Sequence, residues 1–330
     1  ACMLIVMPSS SFFLAEHLTK QVTAHLHSKA QLDYALKKNN EAALLYAWQH
    51  SKKHSITWQL LAKKLAKTQG EAAYQLAAFY QAQDLIPQAL AWYQRAIRLE
   101  FPPAFITLAQ YYFEQDKLFQ ADEILADLPN TYAASIGIAV QALKINLAIH
   151  RGHINVVRQR VTEFGKSLQN NDLGRLLLEK IRKYQVLSVN ENINKTSSCV
   201  NSIQFFATNF AHLKHLEYLI KSFEQHDLSQ YVCFAPVRYI AIDTLSCKTE
   251  STQAIQCKEQ NWQRLADGIH TRFVGLLLPK GGANVHLGAL YIDRHDSIDV
   301  FSHEISHLLG FVDEYPLAEG HAKCANVQQQ

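Results

Sequence analysis

Three residues in one short stretch, His303, Glu304 and His307, have the types and spacing to do metal chemistry. Residues four apart on a helix return to the same face, so the two imidazoles can reach a single ion. Glu304 lies about 100° further round the helix, which suits it to hold a metal-bound water rather than the metal. A zinc ion held there would polarise a carbonyl and acidify its water. Glu304 would take the water proton as general base and return it to a leaving amine. Amide hydrolysis is the reaction this set implies. An HExxH pentapeptide arises by chance in roughly 0.04 of chains of this composition, so it does not define a site by itself. Requiring Gly310 and Asp313 at their places as well lowers that figure to about 5 × 10⁻⁵.

The element that must position these residues is a short amphipathic helix. Ile298, Phe301, Ile305, Leu308 and Leu309 fall at helical spacing, Ser297 is placed to cap the start, and Gly310 to end it. Left-handed backbone at Gly310 would turn the chain back toward the metal. Asp313 would then be the third ligand, with Glu314 or the more distant His321 as alternatives. Tyr315 either packs beneath the site or donates to an oxyanion. The opposing reading is a buried amphipathic helix whose histidines simply hydrogen-bond.

The segment from His303 to Tyr315 resembles the HExxHxxGxxD form of the zincin metallopeptidases, in particular the snapalysin-like and immune-inhibitor-A-like groups. IgA-peptidase-type zincins carry a similar Asp-Glu-Tyr. The resemblance implies an α+β zincin-like domain holding one Zn²⁺ per chain through His303, His307 and Asp313, with Glu304 as general base. It is strong over about 15 residues. Two departures stand against it. The only methionines are Met3 and Met7, so no Met-turn underlies the metal, and little sequence follows Tyr315 to build a lower subdomain. The native chain is accordingly expected to extend past Gln330.

Upstream, Ser202 to Thr208 reads as a strand, Phe210 to Gln225 as a helix, and Val237 to Asp243 and Thr271 to Leu278 as further strands. Gly281-Gly282 marks a turn, and Asn284 to Asp293 is expected to form a fourth strand. In zincins the strand before the active helix pairs with an extended substrate. Here Gly288 and Ala289 would leave that backbone open to a peptide. His286 and His295 lack partners at ligand spacing and read as ordinary histidines.

The first half is built differently. From Glu41 to Phe164 the chain is rich in Ala, Leu, Gln and Tyr, poor in Gly and Pro, and without strand-like alternation. Tyr74-Gln-Leu-Ala-Ala-Phe-Tyr aligns with Ile106-Thr-Leu-Ala-Gln-Tyr-Tyr at a period of 32 residues. This resembles tetratricopeptide or Sel1-type helical pairs, which implies a groove for a partner protein, with Tyr80, Trp92, Tyr93, Tyr111 and Tyr112 as repeat core. The expected organisation is an N-terminal segment over 1–40, an all-α helical repeat domain over 41–185, a polar linker over 186–198 and the zincin-like domain over 199–330.

A formal charge of +3 over 61 charged residues gives no reason to invoke nucleic acid or membrane-surface binding. Pairs such as Lys52-Lys53 and Lys63-Lys64 read as solvated helix faces. The apolar run Ala1 to Met7 is too short to span a bilayer and reads as the remnant of an export signal. Ala1-Cys2 also fits the end of a lipoprotein signal, with Cys2 lipidated. Cys247 and Cys257 flank a polar loop that a disulfide would close, and Cys199 with Cys233 is a second candidate pair; free buried thiols are the alternative, and Cys324 has no evident partner. These features fit an exported protein, periplasmic or secreted.

The sequence therefore leads to the expectation of a zinc metallopeptidase acting on a protein or peptide substrate. Two alternatives accompany it: a non-catalytic helical-repeat adaptor with a degenerate zincin domain, and a zinc amidase acting on cell-wall amides.

Overall fold

The computed structural model describes residues 10–129, 134–187, 199–248, 253–262 and 270–312. The chain is mostly helical, with a smaller α/β region toward its C-terminal end, and it divides into two compact units at Val140. Most of the expected linker, Asp313, Glu314, Tyr315, His321, Cys324 and the Ala1 to Met7 run lie outside the described residues.

The first unit is a succession of helices: α1 (Ser10–Thr23), α2 (Lys29–Lys37), α3 (Glu41–His50), α4 (Ile56–Leu65), α5 (Gly70–Gln81), α6 (Ile86–Arg98), α7 (Pro102–Glu114) and α8 (Leu118–Ala126). Local chemistry sets their starts. Ser28 and Gln31 form a capping box on α2, while the Asn40 and Ser55 side chains accept from backbone N–H groups in the first turns of α3 and α4. Proline occupies the first turns of α6 and α7, where its missing N–H costs nothing.

The 32-residue period is visible in what is buried. Ala72, Leu76 and Ala77 on α5 recur as Ala104, Leu108 and Ala109 on α7, and Ala89 and Tyr93 on α6 recur as Ala121 and Leu125 on α8; all ten are buried. Alanine lets helices approach, and the larger residues fill the space between them. Tyr80, Trp92, Tyr111 and Tyr112 pack half-buried around the same core.

The turns repeat as well. Asp84 and Asp116, 32 residues apart, both adopt positive φ (58° and 62°). In each case the next N–H reaches back to close the helix end, Leu85 to the Tyr80 carbonyl and Lys117 to the Tyr112 carbonyl.

The second unit begins within α9 (Ala134–His150) and continues through α10 (Ile154–Gln169) and α11 (Asp172–Lys183). Gly152 ends α9 with the same turn, at φ 79°. These last helices pack with the α/β elements. The Tyr239 hydroxyl donates to the Ile149 carbonyl, and Lys183 and Tyr184 both donate to Glu217.

The α/β region comprises β1 (Ser202–Ala207), α12 (Phe210–Phe223), β2 (Cys233–Phe234), β3 (Arg238–Tyr239), β4 (Cys247–Lys248), β5 (Gln256–Cys257), β6 (Phe273–Leu278), β7 (Asn284–His286), β8 (Ala289–Asp293) and α13 (Ile298–Leu308). Its main sheet has the order β2-β1-β6-β8-β7, with β3 also paired to β1. All pairs in it are parallel except β7 with β8. Every residue of β1 is buried, as a strand covered on both faces requires. One face carries Phe205, Phe223, Phe234 and Phe301, whose ring centroids lie 5.4–6.3 Å apart and pack α12 and α13 onto the sheet. Phe206, Ile240, Leu245, Leu276 and Tyr291 form a second cluster.

Two strand expectations are corrected here. The run from Val237 to Asp243 gives only the two-residue β3 before a 3-10 turn at Ile242–Thr244. Asn284 to Asp293 is a tight hairpin rather than one strand, because Leu287 and Gly288 both take positive φ (48° and 80°). Disulfides join Cys199 to Cys233 and Cys247 to Cys257; the latter pair are directly opposed across β4 and β5.

Candidate functional site

Helix α13 positions the histidines. Ser297 caps its start, accepting from the Val300 N–H, and Phe301, Ile305 and Leu308 bury its inner face. Glu304 is buried with them, while His303 and His307 are half-buried. The spacing does bring the imidazoles together: their Nε2 atoms lie 3.1 Å apart and their rings meet edge to face.

The helix end fixes one tautomer. Gly310 takes φ 97°, the Phe311 N–H reaches the Ser306 carbonyl, and the chain folds back so that the Phe311 carbonyl lies 2.9 Å from His307 Nδ1. A carbonyl can only accept, so Nδ1 of His307 donates to it, and the two Nε2 atoms share one hydrogen bond.

The zinc expectation is corrected on the donor set. A catalytic zinc takes three protein ligands and an open position. Among the described residues no group of three His, Cys, Asp or Glu could hold a metal ion, and four of the cysteines are committed to disulfides. The residues described do not fit the ion. The expectations of a zincin metallopeptidase and of zinc-dependent hydrolysis, of peptides or of cell-wall amides, fall with it. Asp313, Glu314 and Tyr315 lie outside the described residues.

The two residues expected on a substrate edge lie in the β7–β8 hairpin. Gly288 sits in the hairpin turn, and Ala289 lies in β8, buried and paired on one side with Val274 and on the other with His286. The outer strand is β7.

Sequence reasoning missed a polar set beside that strand. Glu259 accepts from the Tyr291 hydroxyl at 2.6 Å and lies 3.0 Å from His286 Nδ1. Burial, reinforced by the Glu259 carboxylate, pushes the Tyr291 hydroxyl far above its ordinary range, so Tyr291 keeps the proton it donates to Glu259. Only an isolated His286 was visible in the sequence, since Glu259 is 27 residues away. His295 lies next to Arg294, whose Nε donates to it, and its own N–H donates to Asp293.

No family model matches the chain, and no curated protein matches it. Among solved structures, Haemophilus influenzae LpoA in a monoclinic crystal form aligns over 85% of this chain and 58% of its own length, at 12% identity and a TM-score of 0.22. The chain thus spans less than two thirds of that protein. At that TM-score the likeness carries no argument about fold or function.

Proposed function

We propose that this chain is a non-catalytic adaptor whose helical pairs, of tetratricopeptide or Sel1 type, bind a partner protein. The carrying observation is the recurrence of the same buried positions and the same helix-ending turns at a 32-residue offset from α5–α6 to α7–α8. Stacked units of this kind present one continuous side-chain surface, which suits them to holding an extended or helical segment of another protein. The α/β region, 199–330, is read as a scaffold; among its described residues no three His, Cys, Asp or Glu side chains gather to hold a metal ion.

Two disulfides favour an oxidising compartment, and the proposal places the protein outside the cytosol, in the periplasm or secreted, with Cys2 as a candidate lipidation site. No helix among the described residues is long and apolar enough to cross a membrane.

The test is site-specific photocrosslinking in the native host from Gln75 on α5 and Gln110 on α7, with the purified pair then titrated. A single protein captured from both positions, and bound by the purified chain, is the expected result. Absence of any discrete adduct from either position would overturn the adaptor reading.

A further inference from the structure

Helix α4 turns Trp58, Ala62 and Leu65 into the core of the first unit. At 100° per residue the opposite face then carries Ile56, Leu60, Lys63 and Lys64, and Lys67 follows in the next turn. Ile56 is 77% exposed and Leu60 is 59% exposed. Lys52 and Lys53, both exposed, precede the helix. Between residues 37 and 67 there are seven lysines and one acidic residue, Glu41. Glu41 is occupied by Thr68 and Gln69, which donate to its Oε1.

The contacts of these lysines leave their charges uncompensated. Lys64 donates to Asn39 Oδ1 at 3.0 Å, and Lys63 lies 5.9 Å from the centre of the Tyr80 ring. Both partners are neutral, and none of the described ion pairs includes Lys52, Lys53, Lys63, Lys64 or Lys67. The sequence-level reading of these lysines as plain solvated faces omits the two large apolar side chains that the fold sets among them.

We infer that the outward face of α4 docks the protein onto an anionic phospholipid surface, Ile56 and Leu60 entering the headgroup layer while the surrounding lysines meet lipid phosphates. Apolar residues flanked by lysines on one helix face are the pattern of interfacial attachment, in which apolar burial and charge act together. A lipid surface also matches the charge sign and needs no shaped pocket.

The test is flotation of the full chain with vesicles containing about one-third phosphatidylglycerol, beside pure phosphatidylcholine vesicles. Binding to the anionic vesicles alone, weakening as salt rises through about 0.1 M, is expected. Replacing Lys63, Lys64 and Lys67 together by alanine should lower the partition coefficient about a hundredfold, at roughly a factor of five per lysine. Ile56→Ser with Leu60→Ser should lower it at least about tenfold while keeping the salt dependence. All five side chains are exposed, and an unchanged circular dichroism spectrum verifies the fold of each variant. Failure of the wild type to float with anionic vesicles at low salt, or flotation of either variant equal to that of the wild type, would overturn the inference. Binding of a polyglutamate probe without vesicle binding would overturn it too, in favour of an acidic protein partner.

Discussion

Alanine at Gly275 would place a methyl group inside the ring of Phe205. An added Cβ would lie 2.0 Å from Cε1, 2.2 Å from Cδ1 and 2.7 Å from Cζ of that ring. The two residues are direct neighbours in the β1–β6 register, so neither backbone can move without breaking the ladder. The ring has little room to retreat, being fully buried and held between Phe234 and Phe301 at 6.0 and 5.4 Å. Overpacking of this kind costs about 2–3 kcal/mol, at the upper end of the usual range because no flexible side chain yields. The assay is amide exchange by mass spectrometry over residues 202–207 and 273–278, the protected centre of the sheet. The slowest amides there should exchange roughly 30- to 150-fold faster in Gly275→Ala. Phe205→Leu removes the obstructing ring atoms, so the double variant should recover part of the loss, with a coupling of about 1–2 kcal/mol. Gly165→Ala serves as control: it lies within α10 with nothing within 4 Å of a new Cβ, and should stabilise by about 0.5–1 kcal/mol. Unchanged exchange in Gly275→Ala, or simple additivity with Phe205→Leu, would refute the packing argument.

Other perturbations have definite signs. Glu100 holds φ 53° between α6 and α7, so Glu100→Gly should relieve about 1 kcal/mol of left-handed strain and raise the thermal midpoint of the first unit. Burial raises the Asp296 carboxyl above its ordinary value, outweighing the backbone N–H of Asp293 that lowers it. Its stabilising contribution is therefore complete below the unfolded carboxyl pKa and declines as pH rises through the folded one. Asp296→Asn keeps an oxygen for the Asp293 N–H, and should gain stability over the wild type as pH rises from 3 to 7 in urea titrations. A variant that loses stability relative to wild type over that interval would contradict the sign.

Much of the fold could be read from the residues because local signals and burial agree. Ser297 marks a helix start that the structure keeps, and the Ala and Leu positions on α5 and α7 carry the repeat because the same inter-helix spacing recurs. The hairpin at Leu287 was hidden for a physical reason. A leucine at φ 48° is disfavoured, no Asn-Gly pair announces the turn, and the flanking apolar residues read as one strand. The histidine pair shows a different limit. Spacing of i and i+4 sets which side chains converge, but not how many other ligands the fold brings to the same point. Hydrogen-bonded imidazoles and a metal site therefore share one motif. Exposure was also out of reach, since Ile56 and Leu60 look like core residues until Trp58, Ala62 and Leu65 are seen to occupy the inner face.

The most direct test of the adaptor account is an assay of the purified full chain, disulfides intact and zinc in excess, against denatured protein substrates, beside Glu304→Gln. The account predicts no zinc-dependent cleavage and no difference between the two proteins. Cleavage that requires zinc and is abolished in Glu304→Gln would contradict it.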